Sequence, residues 1–500
     1  MNRKVAFSRA SGVLLHPTSL PGRHGIGDFG PSAFRFVDWL LESGQSLWQV
    51  CPLGPTGYGD SPYQCLSAFA GNPLMISLDQ LVADGLLLSG ELAPAEQTDG
   101  PVDYGAVIAH HTPLLERAWQ RLLGLTDVRA TRFARFVRNA AGWLEDYALF
   151  AALKEEAGGA PWYEWESDLR GRDPGTLARA RTRLADRMQF HRFVQFTFFD
   201  QWAGLRAYAR RNGVSIIGDM PIFVAHDSAE CWARPELFQF DDDLWPTAVA
   251  GVPPDYFSDT GQLWGNPLYR WESHRTEGFR WWIELFRTRF TLFDALRVDH
   301  FRGFEAYWRV PWGSRTAENG EWVPAPGKEL FDRVFEELGP VPIIAEDLGV
   351  ITPAVVELMD HCGFPGMKIL QFAFDSGDTN EYLPHTFDSH SVVYTGTHDN
   401  DTVHGWYAGA SPGDREHARA YLNSSGEEIH WDFIRTALAS VSRLAVVPMQ
   451  DVLGLGTDAR MNVPGTTGGN WRWRITGDQL ADTATVRRLR SLTELYGRLA

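Results

Sequence analysis

Short runs of apolar, β-branched residues recur in the second half of the chain, and several of them end in acidic residues. Three of these runs are LFDALRVDHFRGF (residues 292–304), VPIIAEDLG (341–349) and SVVYTGTHDND (391–401). Their length and composition predict buried strands. Asp299, Glu346 and Asp399 stand at or near their C-terminal ends. Carboxylates that follow several parallel strands converge on one mouth of a (β/α) barrel, so the pattern predicts a barrel with an acidic mouth.

Further apolar runs bring the predicted barrel strands to eight. In chain order these strands are expected at residues 47–55, 74–82, 214–224, 294–301, 341–349, 367–375, 391–399 and 444–456. A short additional strand is predicted at the start of residues 12–30, and an amphipathic helix over 31–43 that Gly44 ends. Helices or loops separate most of the strands. The alternation predicts an α/β fold, a (β/α)8 TIM barrel.

Two long segments between the strands are predicted to be insertions. Residues 84–200 carry apolar side chains at helical spacing, which indicates a mainly helical insertion subdomain. Residues 225–290 include a stretch rich in Pro, Gly and Asp, which indicates a loop-rich insertion that forms part of a cleft. We expect residues 1–500 to form a single barrel, because the 44 residues after Gly456 are too few for a C-terminal β-sandwich domain.

Composition narrows the classes of partner. The formal net charge of −17 argues against nucleic acid or an anionic membrane, since both select clusters of Lys and Arg. No apolar run approaches the length of a membrane span, and the N-terminal apolar runs are too short for a signal sequence. The four cysteines are scattered without CxxC spacing, which predicts reduced thiols in a cytoplasmic protein: Cys51, Cys65, Cys231 and Cys362.

The chain is rich in aromatic residues, with 20 Trp and 30 Phe. Most of them are expected in the core. Several, however, lie in loops rich in Gly and Pro, among them Tyr63, Tyr256, Phe257 and Trp264. A ring on a loop offers an apolar face to the C–H face of a sugar, so these residues are candidates for sugar stacking, with packing in the core as the alternative.

Arg297 and Asp299 alternate along one predicted strand, so their side chains share a face. Burying either charge alone is costly, and the pair is therefore expected to be either a structural ion pair or part of a site. Glu346 and Asp399 at neighbouring strand ends favour the site, because convergent carboxylates are the groups that retaining glycoside chemistry requires.

In combination, several motifs resemble those of the amylomaltases, the 4-α-glucanotransferase family related to the α-amylase clan. The matching stretches cover almost the whole chain: GVLLHPTSLPG, DSPYQ, GDMPIFVAHDSAE, WGNPLY, LRVDHFRGF, AEDLG, TGTHDND, QDVLGLGTDARMN and GNWRWR. The resemblance implies Asp299 as nucleophile, Glu346 as general acid/base and Asp399 as the acid that holds sugar hydroxyls in the strained transition state. It implies substrate-binding roles for Arg297, His398, Asp219, Tyr63, Asp60, Trp264, Tyr256, Phe257 and Asn462.

The resemblance predicts transfer of α-1,4-glucan segments between maltooligosaccharides, or amylose, through a covalent glucosyl-enzyme. A retaining α-1,4-glucan hydrolase on the same site is the alternative, because the acids do not decide whether water or a glucan takes the intermediate. A silent glucan-binding barrel is the non-enzymatic alternative. Retention predicts that the Asp299 and Glu346 carboxyls lie about 5–5.5 Å apart. No cofactor and no metal is expected, and the chain is expected to be a monomer or a homodimer.

Overall fold

The computed structural model describes residues 5–92, 100–124, 128–254 and 258–499. Within them the strands are β1 (Ala10–Leu14), β2 (Leu47–Gln49), β3 (Ser215–Met220), β4 (Ala248–Val252), β5 (Gln262–Pro267), β6 (Ala295–Val298), β7 (Ala306–Pro311), β8 (Glu321–Pro324), β9 (Ile343–Ala345), β10 (Gly366–Ile369), β11 (Ser391–Tyr394) and β12 (Leu444–Pro448).

The helices of the same residues are α1 (Pro31–Glu42), α2 (Leu78–Ala83), α3 (Tyr104–Leu123), α4 (Val128–Asn139), α5 (Ala141–Glu156), α6 (Ser167–Arg170), α7 (Pro174–Arg183), α8 (Ala185–Arg211), α9 (Ala229–Ala233), α10 (Trp271–Thr276), α11 (Arg280–Leu292), α12 (Gly327–Leu338), α13 (Pro353–Cys362), α14 (Val403–Gly409), α15 (Pro412–Leu422), α16 (Ile429–Ala439), α17 (Met449–Val452), α18 (Gly477–Leu480) and α19 (Thr483–Leu495). None of these described helices is both long and apolar enough to cross a membrane.

Eight parallel strands form a nearly closed barrel, in the order β10-β11-β12-β1-β2-β3-β6-β9. The amide of Ala345 donates to the carbonyl of Pro365 over 2.9 Å and links the end of β9 to the segment that leads into β10. Alternate side chains along a strand face opposite sides of the sheet. On β1, Leu14 belongs to the cluster inside the barrel and Val13 to the cluster between strands and helices. The predicted (β/α)8 fold is confirmed.

One predicted strand is wrong. Residues 74–82 form a 3-10 turn over Pro73–Met75 followed by α2. The side chain of Asn72 accepts the Leu74 N–H, and that of Ser77 accepts the Gln80 N–H, so two polar caps start helical turns within an apolar run. The eighth barrel strand is instead β1, which lies between β12 and β2. The predicted number of barrel strands is right, although the membership differs by one.

Both predicted insertions contain regular secondary structure, including the segment at residues 225–290 that was predicted to be rich in loops. Helices α3 to α8 lie within or begin in residues 84–200, and α8 extends to Arg211 before Gly213 adopts a left-handed φ of 75°. Residues 225–290 contain β4 and β5 as well as α9, α10 and most of α11. These two strands join β7 and β8 in a separate antiparallel sheet of order β5-β4-β7-β8. This sheet lies in the connections on either side of β6, the strand that precedes Asp299.

Two arginines hold the chain termini against the loop before β12. The buried guanidinium of Arg498 donates hydrogen bonds of 2.7–3.4 Å to six carbonyl groups, those of Ala10, Ala437, Leu438, Ser440, Ser442 and Arg443. Arg9 donates to three of the same residues, Leu438, Ser440 and Ser442. Burial, with the charge of Arg9, lowers the pKa of Arg498 to about 9, so the group stays protonated at neutral pH.

We expect Arg498→Met to lower the free energy of unfolding by roughly 3–5 kcal/mol, because buried carbonyls lose charged donors. Arg498→Lys should fall between the variant and the wild type, since an ammonium has three donors instead of five. Urea denaturation measures both. Arg490→Met, in the exposed last turns of α19, is the control and should stay within about 0.5 kcal/mol. A loss below 1 kcal/mol for Arg498→Met would contradict this role.

Candidate active site

The predicted acids gather at the C-terminal end of the barrel because each follows a strand. Asp299 comes directly after β6, Glu346 directly after β9, and Asp399 five residues after β11. Asp219 lies on β3 in register with Arg297 on β6. Since β3, β6 and β9 are adjacent, three of these carboxylates come from neighbouring strands.

Arg297 joins two of the carboxylates. Its Nη1 donates to both oxygens of Asp219 at 2.9 and 2.7 Å, and its Nη2 lies 2.9 Å from Asp299 Oδ1. The side chains of Arg297 and Asp219 are 3% and 1% exposed, whereas 27% of the Asp299 side chain is exposed. Arg297 therefore fixes the Asp299 carboxylate from the buried side and leaves its other side open to a ligand.

Glu346 is held by the backbone. The amide of His300 donates to its Oε2 at 2.6 Å, and the amide of Leu348 donates to its Oε1 at 2.8 Å. His300 has a left-handed φ of 50°, a conformation that side-chain-bearing residues adopt at some cost. The strained backbone of His300 thus directs its amide to the carboxyl group of Glu346 and orients that group.

The pKa values separate Asp299 from Glu346. Burial raises the pKa of Glu346 to about 7; the charge of Arg297 opposes this rise and that of Asp299 adds to it. Burial also raises the pKa of Asp299, to about 6, again against the charge of Arg297. The direct ion pair with Arg297 favours the charged form of Asp299, and the Asp299 charge in turn favours the protonated form of Glu346, which is the arrangement that a nucleophile and an acid need.

Asp399 is held ionised. Burial opposes its charge, but the imidazole of His398 and the amide of Asn462 outweigh burial and hold the pKa of Asp399 well below its usual range. Asn462 Nδ2 donates to Asp399 Oδ1 at 2.6 Å, and His398 Nε2 lies 3.3 Å from Oδ2. Arg460, from the same segment as Asn462, donates to the Asp399 carbonyl at 2.5 Å.

Tyr63 links the two halves of the mouth. Its hydroxyl donates to Asp219 Oδ2 at 2.9 Å, and its ring stacks on His398 with centroids 4.9 Å apart. Trp471 packs against both rings at 5.7 Å. The loop that carries Tyr63 therefore forms one wall of the mouth, with an aromatic face between the carboxylates of Asp219 and Asp399.

The remaining predicted residues are placed less uniformly. Trp264 on β5 sets its ring edge-on to His300 with centroids 4.7 Å apart, so it lies beside the Asp299 loop. Asp60 lies in the turn Tyr58–Asp60, where its charged neighbour is Arg472, and no contact with the three acids is seen among the described residues. Tyr256 and Phe257 lie outside the described residues.

Sequence reasoning did not single out three residues that the structure places at the mouth. His300 positions Glu346, Arg460 supports Asp399, and Trp471 backs Tyr63. His300 acts through its own backbone amide, and Arg460 acts on the backbone carbonyl of Asp399. A pattern of side chains in the sequence reveals neither contact. Trp471 follows the Gly468-Gly469 pair in the sequence, and the structure shows it buried with a left-handed φ of 63°.

Comparisons with known proteins agree with this arrangement. A family model described as 4-alpha-glucanotransferase matches residues 15–480. The 4-alpha-glucanotransferase of Synechocystis sp. is 51% identical over 98% of this chain and 98% of its own length. That of Thermus thermophilus is 51% identical over 99% of this chain and 100% of its own length.

Solved structures give the same result. The amylomaltase of Streptococcus agalactiae, determined in complex with acarbose, superposes with a TM-score of 0.95 at 42% identity, covering 98% of this chain and 100% of that one. The amylomaltase of Corynebacterium glutamicum, at 19% identity and a TM-score of 0.82, shares the fold over 97% of this chain and 75% of its own. The resemblance and the transferase assignment drawn from the sequence are confirmed. This chain belongs to the 4-alpha-glucanotransferase family.

Proposed function

We propose that this protein transfers α-1,4-glucan segments between maltooligosaccharides, or amylose, by a retaining double displacement at Asp299 and Glu346. The observation that carries the mechanism is the difference between the electrostatic environments of these two carboxyl groups. Asp299 is an ion-pair partner of Arg297, while Glu346 has a pKa raised to about 7. Near neutral pH one carboxyl is thus ready to attack and the other to donate a proton.

In the first step a carboxylate oxygen of Asp299 forms a bond to the anomeric carbon, and the bond from that carbon to the leaving glycosidic oxygen breaks. Glu346 gives its proton to the leaving oxygen. In the second step the 4-hydroxyl of an acceptor glucan gives its proton to Glu346 and attacks the same carbon, which releases Asp299. Two inversions restore the α configuration. A separation of about 5–5.5 Å between the two carboxyl groups stays a prediction of this mechanism.

The other residues hold the sugar. Asp399 offers an ionic acceptor to sugar hydroxyls, and its carboxylate keeps its charge because His398 and Asn462 stabilise it. Asp219 is only 1% exposed and is bonded to Arg297 and Tyr63, so it serves the sugar site by positioning those two side chains. Hydrogen bonds to a charged acceptor strengthen as positive charge develops on the ring in the transition state. The stacked pair of Tyr63 and His398 provides the apolar face against which the sugar lies.

Transfer requires that water reach the intermediate less readily than a glucan does. Trp264 and Trp471 border the mouth from two different segments and support such exclusion. We place the enzyme in the cytoplasm, which fits four cysteines that are all free. A retaining hydrolase would use the same acids, and the distribution of products separates the two activities.

Asp299→Asn should abolish turnover of maltotriose, with a loss on the order of 10⁴-fold, because the amide cannot form the glucosyl ester. Chromatography of the products is the measurement. The wild type should yield glucose together with maltopentaose and longer chains, without growth in total reducing ends. Asp360→Asn, on the exposed face of α13, is the control and should keep full activity.

Two results would contradict these roles. Residual activity of Asp299→Asn within tenfold of wild type would remove Asp299 as nucleophile. Glucose and maltose alone, with reducing ends rising in the wild type, would show that water takes the intermediate and that the protein is a hydrolase.

The pH profile of kcat/KM should be bell-shaped, with limbs near pH 6 and pH 7. Below the acidic limb Asp299 gains a proton and cannot attack; above the basic limb Glu346 has lost the proton that it must donate.

An α-maltosyl fluoride donor needs no proton on its leaving group. With that donor, Glu346→Gln should still release fluoride, and the basic limb should be absent from its release rate. A wild-type profile that stays flat from pH 6 to 9 would contradict Glu346 as the acid.

Trp264→Ala should raise the acceptor KM about 3- to 10-fold, the value of one lost stacking contact, while the melting temperature changes little. Transfer from a fixed donor to maltose at increasing concentration is the assay. Trp264→Phe keeps a ring and should recover most of the affinity. An unchanged acceptor KM in Trp264→Ala would assign the ring to packing against His300 alone.

A further inference from the structure

An aromatic surface lies beside the end of the four-stranded sheet where β4 begins and β7 ends, apart from the residues of the acidic mouth. It consists of Tyr163, His226, Trp245 and Trp312, which contact one another. Trp245 stacks on Trp312 with centroids 6.0 Å apart and planes 29° from parallel, and Tyr163 stacks on His226 at 4.3 Å. Tyr163 and Trp245 join the two pairs at 5.2 Å. We call these four residues the aromatic platform.

The platform is held by backbone structure. Asp241 Oδ1 accepts the amides of Asp243 and Trp245 at 3.0 and 2.9 Å, and the amide of Asp241 donates to the Trp245 carbonyl at 2.9 Å. The amide of Trp312 donates to the Thr247 carbonyl and extends the pairing of β4 with β7. Both tryptophans are therefore placed before any ligand arrives, which reduces the entropy cost of binding.

The rings are accessible, and their polar edges are available. Trp312 is 45% exposed, and Tyr163 and Trp245 are half-buried. Within the described part of the chain, neither indole N–H of the two tryptophans nor the Tyr163 hydroxyl has a hydrogen-bond partner. Flat apolar faces combined with free donors at their edges match a sugar, which presents a C–H face and peripheral hydroxyls.

The surrounding charge favours a neutral ligand. Asp241, Asp242 and Asp243 are consecutive exposed acids beside Trp245, and Glu164 is an exposed acid beside Tyr163. The whole chain carries a net charge of −17. An anionic partner would be repelled by this rim, whereas a glucan is uncharged and can donate its hydroxyls to carboxylates.

The sheet connects the platform to the mouth. Trp245 and Trp312 flank the first pair of β4 and β7, and Gly251, near the other end of β4, pairs with Leu263 next to Trp264. At about 3.3 Å per residue, the platform lies roughly 15 Å from Trp264 along the sheet. A glucan must extend over at least this distance to contact both places, which favours long chains over maltotriose.

We propose that the aromatic platform is a second glucan-binding surface, which holds long α-glucan chains near the mouth and raises their local concentration there. This rests on the proposed function, because it takes the ligand to be the polymeric substrate. Linking a second contact to the same polymer raises its apparent affinity without altering the chemistry at the acids. The surface should therefore matter for amylose and leave maltotriose unaffected.

The binding test uses the full-length Asp299→Asn protein, so that the ligand is not consumed. Native gel electrophoresis through soluble amylose measures its retardation. We expect Trp245→Ala combined with Trp312→Ala to weaken amylose binding at least fivefold, and the matching pair of Trp→Phe changes to keep most of it. Trp322→Ala is the matched control, because this half-exposed ring on β8 is covered by the Arg302 guanidinium at 3.7 Å.

The activity test uses the same platform variants with Asp299 intact. The KM for amylose should rise at least threefold, while turnover of maltotriose stays within about twofold of wild type. Equal amylose retardation for the Ala pair and its parent would overturn the proposal. Loss of amylose binding in Trp322→Ala to the same extent would also overturn it, because the effect would then not belong to the platform.

Folding and function are controlled separately. If the Trp245→Ala and Trp312→Ala pair has a lowered melting temperature, the single variant Trp312→Ala is used instead, because its ring is the most exposed. The proposal then requires that this single variant lose amylose binding at least twofold. Failure of the wild type to transfer from maltotriose would refute the proposed function. Amylose retardation of the Asp299→Asn protein would still report on the platform in that case.

Discussion

The acidic mouth depends on one buried guanidinium. Arg297 lies between Asp219 and Asp299, and its charge favours the ionised form of Asp299 where burial raises the pKa of that carboxyl group. Without it, two neighbouring strands would bring uncompensated negative charges together in a poorly solvated place. The parallel register of β3 and β6 sets Asp219 opposite Arg297, so the barrel itself determines the ion pair. The rest of the mouth is arranged around that pair.

From this anchor the acids take different protonation states in a small volume. Glu346 accepts two backbone amides, yet burial and the Asp299 charge keep its pKa near 7. Asp399 has a basic partner in His398 and an amide donor in Asn462, and it stays ionised. The pKa values of Glu346 and Asp399 differ because their neighbouring groups differ, and not because one is Glu and the other Asp. The fold therefore places three carboxyl groups with different proton affinities at the C-terminal ends of three barrel strands.

The antiparallel sheet outside the barrel has two roles in this picture. Through Trp264 on β5 it borders the loop that carries His300. At the other end of β4 it supports the platform of Tyr163, Trp245 and Trp312. In the glucan binding that we propose for Trp264 and the platform, a rigid sheet keeps the two contacts at a constant separation.

The sequence by itself determined the eight-stranded barrel and the three acids, because apolar runs, helical spacing and acids at strand ends are local patterns. It also indicated Arg297 through its alternation with Asp299. It misplaced one strand at residues 74–82, since caps at Asn72 and Ser77 override an apolar run, and β1 took the vacant place. Only the tertiary structure decided which acid is protonated, how His300 and Arg460 position their neighbours, and that distant aromatic residues form one surface. Those properties arise from burial and from contacts between segments far apart in the chain, which no local pattern records.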